Sequence, residues 1–165
     1  MSLLARSVPE NILAARSPRA WESATTNVAC WEHFPHDADL GVRGYGATPA
    51  QAFEQAALAL AAAIAELASI TPKETVEIHA EAPSLDLLLV DWLNAIVYEM
   101  AERRMIFGAF EVTISATKLI ARAHGEAVSR ERHAPAVEPK GATFTELDVS
   151  EIAPGQWRAQ CVVDV

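Results

Sequence analysis

Residues 84–93 read Ser-Leu-Asp-Leu-Leu-Leu-Val-Asp-Trp-Leu and carry the clearest structural signal in the sequence. Ser84 is a favoured helix N-cap residue, and Asp86 places a negative charge in the first turn, where the helix dipole stabilises it. Apolar residues then recur at steps of three and four along one wide face; they are Leu85, Leu88, Leu89, Trp92, Leu93, Ile96 and Met100. The pattern predicts a helix with one buried face that ends at Arg103 and Arg104. We assign the polar residues off that face to its solvent side; they are Asp91, Asn94 and Glu99.

A second helix and several strands surround this segment. Thr48, Pro49 and Gln51 form a helix start with an N-cap, a first-turn proline and a capping-box residue, and the helix is predicted to run to about residue 68. Alternation of apolar and polar residues predicts strands; they cover residues 28–34, 40–46, 75–82, 110–115, 119–125, 142–149 and 157–165. This order predicts an α+β fold, in which two helices pack on a largely antiparallel β-sheet.

Composition and charge limit the classes of function. The chain has 165 residues, of which 51% are hydrophobic, so it suits one globular domain. Its net charge of −9 disfavours direct binding to nucleic-acid phosphates, so RNA would be reached only through a partner protein. The longest apolar run, residues 56–65, is too short to span a bilayer, and no secretory signal is evident. We expect a soluble, cytoplasmic protein with no membrane partner. Cys30 and Cys161 are expected to be reduced, partly buried thiols.

The densest polar cluster is residues 34–40, Phe-Pro-His-Asp-Ala-Asp-Leu. If this segment is a strand, Asp37 and Asp39 project from the same face, and carboxylates held that close favour a hard divalent cation such as calcium or magnesium. The alternative is an Asx-turn, in which the aspartates bond to their own backbone at a strand boundary. Asp164 is a second acidic position near the end of the chain, and it would meet Asp39 only if the fold brings the two together.

Residues 126–139 contain Arg130, Arg132 and two prolines, and they predict a long surface loop. This is the one concentrated positive patch in an acidic sequence. It is either a docking surface for a partner or an irregular solvated connection.

Four segments together resemble the archease family. They are His36-Asp37-Ala38-Asp39 before a strand and a Thr-Pro-capped helix, Leu-Leu-Leu-Val-Asp-Trp-Leu at residues 87–93, Lys140-Gly141-Ala142-Thr143, and the ending Val162-Val163-Asp164-Val165. The resemblance covers residues 29–165 in unbroken order, and the combination of motifs makes it specific.

The resemblance implies a function. Archeases assist a GTP-dependent RtcB-type RNA ligase by promoting its guanylylation and multiple turnover in tRNA splicing and RNA repair, and they are not themselves enzymes. It also implies that Asp39, Asp164 and an oxygen of Val165 bind a divalent metal, calcium in the family's usual description. His36, Lys140 and Thr143 would then lie near that site.

One departure affects the metal prediction. The family's motif usually reads Asp-His-Thr-Ala-Asp, whereas this chain has Pro35 and Asp37 in place of its first Asp and its Thr. Asp37 is therefore a candidate additional ligand that would alter the metal preference.

Two other functions are open from the sequence. One is a small metal-dependent phosphohydrolase, in which Asp37 and Asp39 hold magnesium and His36 is the general acid or base. The other is a general chaperone-like interaction protein. No Ser/His/Asp or Cys/His arrangement with an activated nucleophile stands out in the sequence, which favours a binding protein over an enzyme.

Residues 1–28 fall outside the resemblance. They include Arg6, Arg16 and Arg19 among short apolar fragments and show no sustained helical or strand period. We interpret them as an N-terminal extension that is flexible and contributes nothing to the core of the domain at 29–165.

Overall fold

The structure is a computed structural model that describes residues 28–165. The predicted N-terminal extension lies outside the described residues, apart from the exposed Val28. The described chain forms, in order, β1 (Cys30–His36), β2 (Asp39–Gly46), α1 (Pro49–Ile64), β3 (Glu74–Glu81), α2 (Leu85–Arg103), β4 (Met105–Ser115), β5 (Lys118–Ala127), α3 (Arg130–His133), β6 (Gly141–Ala142), β7 (Asp148–Ala153) and β8 (Gln156–Asp164).

Every strand pair is antiparallel, and the strands form two sheets. The first sheet has five strands in the order β1-β2-β8, with β6 and β7 both paired to β8. The second has three strands in the order β3-β5-β4. The predicted α+β class, with helices packed on antiparallel sheet, is confirmed, and the strands divide between two sheets.

Both long helices begin at the predicted caps. The Thr48 hydroxyl accepts the Gln51 N–H at 3.1 Å, and the Gln51 side chain accepts the Ala47 N–H at 2.8 Å. Ser84 accepts the Leu87 N–H at 3.3 Å at the start of α2. α1 ends at Ile64, earlier than predicted, and a separate 3-10 turn follows at Leu67–Ser69. No helix in the described part of the chain is both long and apolar enough to cross a membrane.

Three local predictions were wrong. The strand predicted over residues 142–149 is divided into β6 and β7, with Glu146 in the left-handed conformation (φ 55°) in the turn between them. The loop predicted over residues 126–139 contains the end of β5 and the short helix α3. The first strand, predicted over residues 28–34, continues through Pro35 to His36, because β1 pairs with β2 alone and an edge strand tolerates a missing N–H.

The core lies between the two sheets and the two long helices. Trp92 is fully buried, and its indole N–H donates to the Phe53 carbonyl at 3.1 Å, which ties α2 to α1. The Trp92 ring also meets Phe110 of β4 edge-on, with ring centroids 5.8 Å apart. α2 therefore contacts both α1 and the second sheet through one side chain.

The two cysteines are free thiols, as expected. Cys161 lies in the centre of β8 and is completely buried, and burial raises its pKa to about 12. Cys30 is half-buried, and burial, together with the nearby Glu32, also raises its pKa. Both thiols are therefore poor nucleophiles at neutral pH.

The backbone of α1 lies directly on β2 at Gly44. A Cβ atom at this position would lie 2.1 Å from the Ala52 carbonyl oxygen and 2.4 Å from the Ala56 nitrogen. Gly46 makes a similar approach to the side chain of Gln51, at 2.4 Å. Because backbone atoms of a helix cannot move aside singly, β2 and α1 pack this closely only with glycine at Gly44.

Gly44→Ala should lower the free energy of unfolding by about 3 kcal/mol or more, since the added methyl group forces β2 and α1 apart. Urea denaturation would measure the loss, and the exposed Thr113→Ala in β4 serves as a control expected to change stability by less than about 0.5 kcal/mol. Equal stability of Gly44→Ala and the wild type would contradict the described packing.

Candidate functional site

Three strands of the first sheet, β1, β2 and β8, bring one histidine and two aspartates from distant parts of the sequence into one row. His36 pairs with Asp39 across the β1–β2 hairpin, and Gly141 pairs with Asp164 across β6 and β8. The β2–β8 register pairs Leu40 with Val163, so the next opposed positions are Asp39 and Asp164. We call His36, Asp39 and Asp164 the acidic row.

The acidic row lies on the face of the sheet that points away from α1. Gly44 faces α1, and strand residues alternate between faces, so Asp39 projects from the opposite side. Asp39 is half-buried and Asp164 is exposed. Carboxylates directly opposed on neighbouring strands destabilise a sheet unless a cation separates them. Neither carboxylate forms an ion pair with any residue from 28 to 165.

The turn between β1 and β2 separates Asp37 from this row. Asp37 and Ala38 form a two-residue turn, and Asp37 is exposed with φ at 50°. The expectation that Asp37 and Asp39 alternate along one strand is therefore wrong, because β1 ends at His36 and Asp37 lies in the turn before β2. His36, by contrast, is half-buried, and its Nδ1 is fully shielded from solvent with no hydrogen-bond partner in the described structure.

Residues 140–143 lie along the other side of Asp164. The Lys140 N–H donates to the Asp164 carbonyl at 2.8 Å. The Thr143 N–H and hydroxyl both donate to the Val162 carbonyl, at 2.9 and 2.8 Å. Val165 is half-buried and follows the last residue of β8. The structure thus brings Asp39, Asp164, Val165, Lys140, Thr143 and His36 to one end of the first sheet.

The donor set fits a hard cation that retains water. Two carboxylates can be joined by main-chain oxygens near Val165, and calcium or magnesium accepts such ligands together with water. Among residues 28–165, no group of three or more His, Cys, Asp or Glu side chains is arranged to hold a metal. Side chains alone therefore do not complete the coordination, and the main chain and solvent would supply the remaining oxygens.

A polar network that the sequence did not predict fixes the strands beside the acidic row. Glu32 accepts hydrogen bonds from Arg43 at 2.7 Å and from Tyr45 at 2.9 Å, while Arg43 donates to Gln160 at 2.7 Å. The Arg43 guanidinium also lies 4.5 Å from the centre of the Phe34 ring. Burial and the Glu32 hydrogen bond raise the pKa of Tyr45. These contacts link β1, β2 and β8 on the same face as the acidic row.

The predicted basic loop divides between two environments. Arg130 lines an apolar groove of about 750 Å³ between α2, the start of β4 and residues 128–139. Arg132 instead pairs with Glu126, a residue of β5 that is only 3% exposed. Lys140 directly follows Pro139, the last residue that lines the groove, so the groove adjoins the acidic row along the chain.

The buried Glu126 anchors this loop to the second sheet. Besides Arg132, it accepts the Thr71 N–H, and His133 Nε2 lies 3.6 Å away. His133 is buried, and its Nδ1 accepts the Ser129 N–H at 2.8 Å. Burial and the neighbouring Arg132 lower the pKa of His133, so this imidazole is neutral near pH 7.

The structure defines a small α+β protein with a carboxylate pair at one end of an antiparallel sheet. Residues 31–165 match the archease protein family. The chain is 37% identical to protein archease of Thermococcus kodakarensis over 139 residues, covering 82% of this chain and 98% of the relative. It is 32% identical to protein archease of Methanosarcina barkeri over 140 residues, with 82% and 95% covered.

A solved structure shows the same fold. The solution structure of Methanobacterium thermoautotrophicum protein 1598 superposes with a TM-score of 0.71 at 23% identity and covers 82% of this chain and 98% of that one. The chain belongs to the archease family, as its motifs indicated.

Calcium should raise the free energy of unfolding of the wild type more than that of a variant that lacks one carboxylate of the acidic row. Without divalent ions, Asp39→Asn removes one of two opposed charges and should raise the free energy of unfolding by up to about 1 kcal/mol. With calcium at about 100 times its Kd, the wild type should gain about 2.7 kcal/mol and the variant much less, so their order reverses.

Urea denaturation with and without calcium measures both effects. Asp91→Asn, on the exposed side of α2, is the matched control and should follow the wild type. The same calcium response in wild type and Asp39→Asn would contradict a metal at the acidic row.

Proposed function

We propose that this archease is a non-catalytic, metal-binding accessory protein that activates an RtcB-type RNA ligase in the cytoplasm. It promotes guanylylation and multiple turnover of the ligase in tRNA splicing and RNA repair. Asp39 and Asp164, with an oxygen of Val165, hold a divalent ion, calcium in the first instance. The ligase holds the RNA, since an acidic protein is poorly suited to bind it directly.

The observation that supports the proposal is the β2–β8 register in a chain of this family: it pairs Leu40 with Val163, so the next opposed positions are Asp39 and Asp164. Residues from β2 and the end of β8 meet only through tertiary pairing, and they present two uncompensated carboxylates on one face. Such an arrangement destabilises the isolated protein and suits a bound cation. When bound, the cation would neutralise the carboxylates and complete a surface that a partner can recognise.

The phosphohydrolase alternative loses its structural basis. It required Asp37 and Asp39 to project together from one strand, and the turn at Asp37 and Ala38 interrupts that strand. Phosphatase turnover by the purified protein alone would support the phosphohydrolase alternative.

Asp39→Ala and Asp164→Ala should each abolish calcium binding and ligase activation, because each removes half of one site. The double variant should be little worse than either single variant, since residues of a shared site are not additive. Guanylylation of the cognate ligase by GTP and multiple-turnover RNA ligation, with and without the protein, measure activation. Asp91→Ala is the control, and full activation by Asp39→Ala would refute the site.

We propose that three basic residues contact the ligase or its bound phosphates; they are Arg130, Arg132 and Lys140. Charge reversal to Glu at Arg130 and Lys140 should weaken activation without changing the fold, because both side chains are exposed. Arg132→Glu should also destabilise the loop, since it places a second negative charge beside buried Glu126. Salt-dependent ligase activation by each variant checks this assignment, and unchanged activation by Arg130→Glu and Lys140→Glu at low salt would remove the patch from the interface.

A further inference from the structure

Asn94 of α2 contacts the short strand beside the acidic row. Its side-chain oxygen accepts the Ala142 N–H at 2.8 Å. Ala142 belongs to β6, a two-residue edge strand that pairs with β8 on one side only. Because Ala142 directs its N–H away from β8, Asn94 supplies the acceptor that a neighbouring strand would otherwise provide. Asn94 is thus a structural contact, and its assignment to the solvent side of the helix was wrong.

The segment that Asn94 contacts is itself hydrogen-bonded to Asp164. Lys140, just before β6, donates its N–H to the Asp164 carbonyl, and Thr143, just after it, donates to Val162. The segment 140–143 therefore bonds on both sides of Val163. Two paired residues form a weak strand on their own, so the position of this segment depends on what fixes its outer edge.

α2 is a rigid support for this contact. Leu93 and Ile96, on either side of Asn94, are fully buried, and Trp92 is hydrogen-bonded to α1. The strand also lies very close to the helix at this point, because a Cβ atom on Gly141 would lie 3.3 Å from the Asn94 side-chain oxygen. A displacement of β6 away from α2 would break the Ala142 hydrogen bond.

We propose that Asn94 is a positioning residue of the acidic row: its side-chain oxygen fixes β6 and thereby sets Asp164 and Lys140 relative to Asp39. The inference rests on the proposed metal-binding function of the row. Asn94 is not proposed as a metal ligand, because its side-chain oxygen accepts the Ala142 N–H. Groups that hydrogen-bond directly to metal ligands typically contribute 10- to 100-fold to metal affinity, and Asn94 acts one contact further away, through β6.

The chain offers a matched control on the same helix. The Asp86 side chain accepts the Val149 N–H of β7 at 2.7 Å, which is the same kind of contact to the other strand at this edge. β7 pairs with the opposite end of β8, away from Asp164. Asp86→Ala therefore removes an equivalent hydrogen bond without affecting the segment 140–143.

The experiment titrates calcium alone into the full chain by calorimetry and follows amide hydrogen exchange at Ala142. Asn94→Ala should lower calcium affinity by about 10- to 100-fold and accelerate exchange at Ala142. Asn94→Asp keeps the acceptor for the Ala142 N–H, so this variant should bind calcium at least as tightly as the wild type does. Asp86→Ala should lower stability but leave calcium affinity within about twofold. If Asn94→Ala does not fold, Asn94→Ser, which is polar but too short to reach Ala142, replaces it.

Three outcomes separate this inference from the function on which it rests. Wild-type affinity in Asn94→Ala, with faster exchange at Ala142, overturns the positioning role and leaves the metal site intact. An equal loss of affinity in Asp86→Ala also overturns it, because the effect would then be general destabilisation. Failure of the wild type to bind calcium or magnesium overturns the proposed metal site, and with it this inference.

Discussion

The register between β2 and β8 is the constraint on which the acidic end of the molecule depends. It pairs Leu40 with Val163 and so leaves Asp39 opposite Asp164. A slip of one residue would turn every side chain of one strand to the other face, and Val163 would leave the core while Asp164 entered it. The apolar residues that face α1 thus fix the position of the carboxylates on the opposite face of the sheet. Core packing and the candidate site are two consequences of one pairing.

α2 has a second role beyond its apolar face. Asp86 and Asn94, on its polar side, cap the outward N–H groups of β7 and β6. An open strand edge is a site for unwanted pairing, and here helix side chains cover it at two points. The same helix carries Trp92 into the core and Val97 into the apolar groove. α2 therefore connects the core, the sheet edge and the groove.

The sequence predicted what local chemistry determines. Thr48 and Ser84 cap the two long helices as expected, because N-cap bonds involve residues only three positions apart. The sequence pattern did not predict that the strands divide between two sheets, because long-range packing determines which strands pair. Asn94 was misplaced for a related reason: helical periodicity separates polar from apolar faces but does not show that another strand covers the polar one. The break between β6 and β7 was also missed, because residues 142–149 alternate as a single strand would.

The strands of the second sheet are close together in the sequence, whereas β2 and β8 of the first sheet are far apart. The second sheet can therefore form before the candidate site does. β4 and β5 are joined by a turn at Ala116 and Thr117 and need no distant partner, so this hairpin is free to form early. The acidic row forms only when β2 pairs with β8, which follows every other described element along the chain. During translation the protein therefore passes through a stage in which the second sheet and both helices are available but the carboxylates have not met. A nascent or prematurely ended chain that lacks β8 would therefore lack the assembled row, because Asp164 would be missing or unpaired.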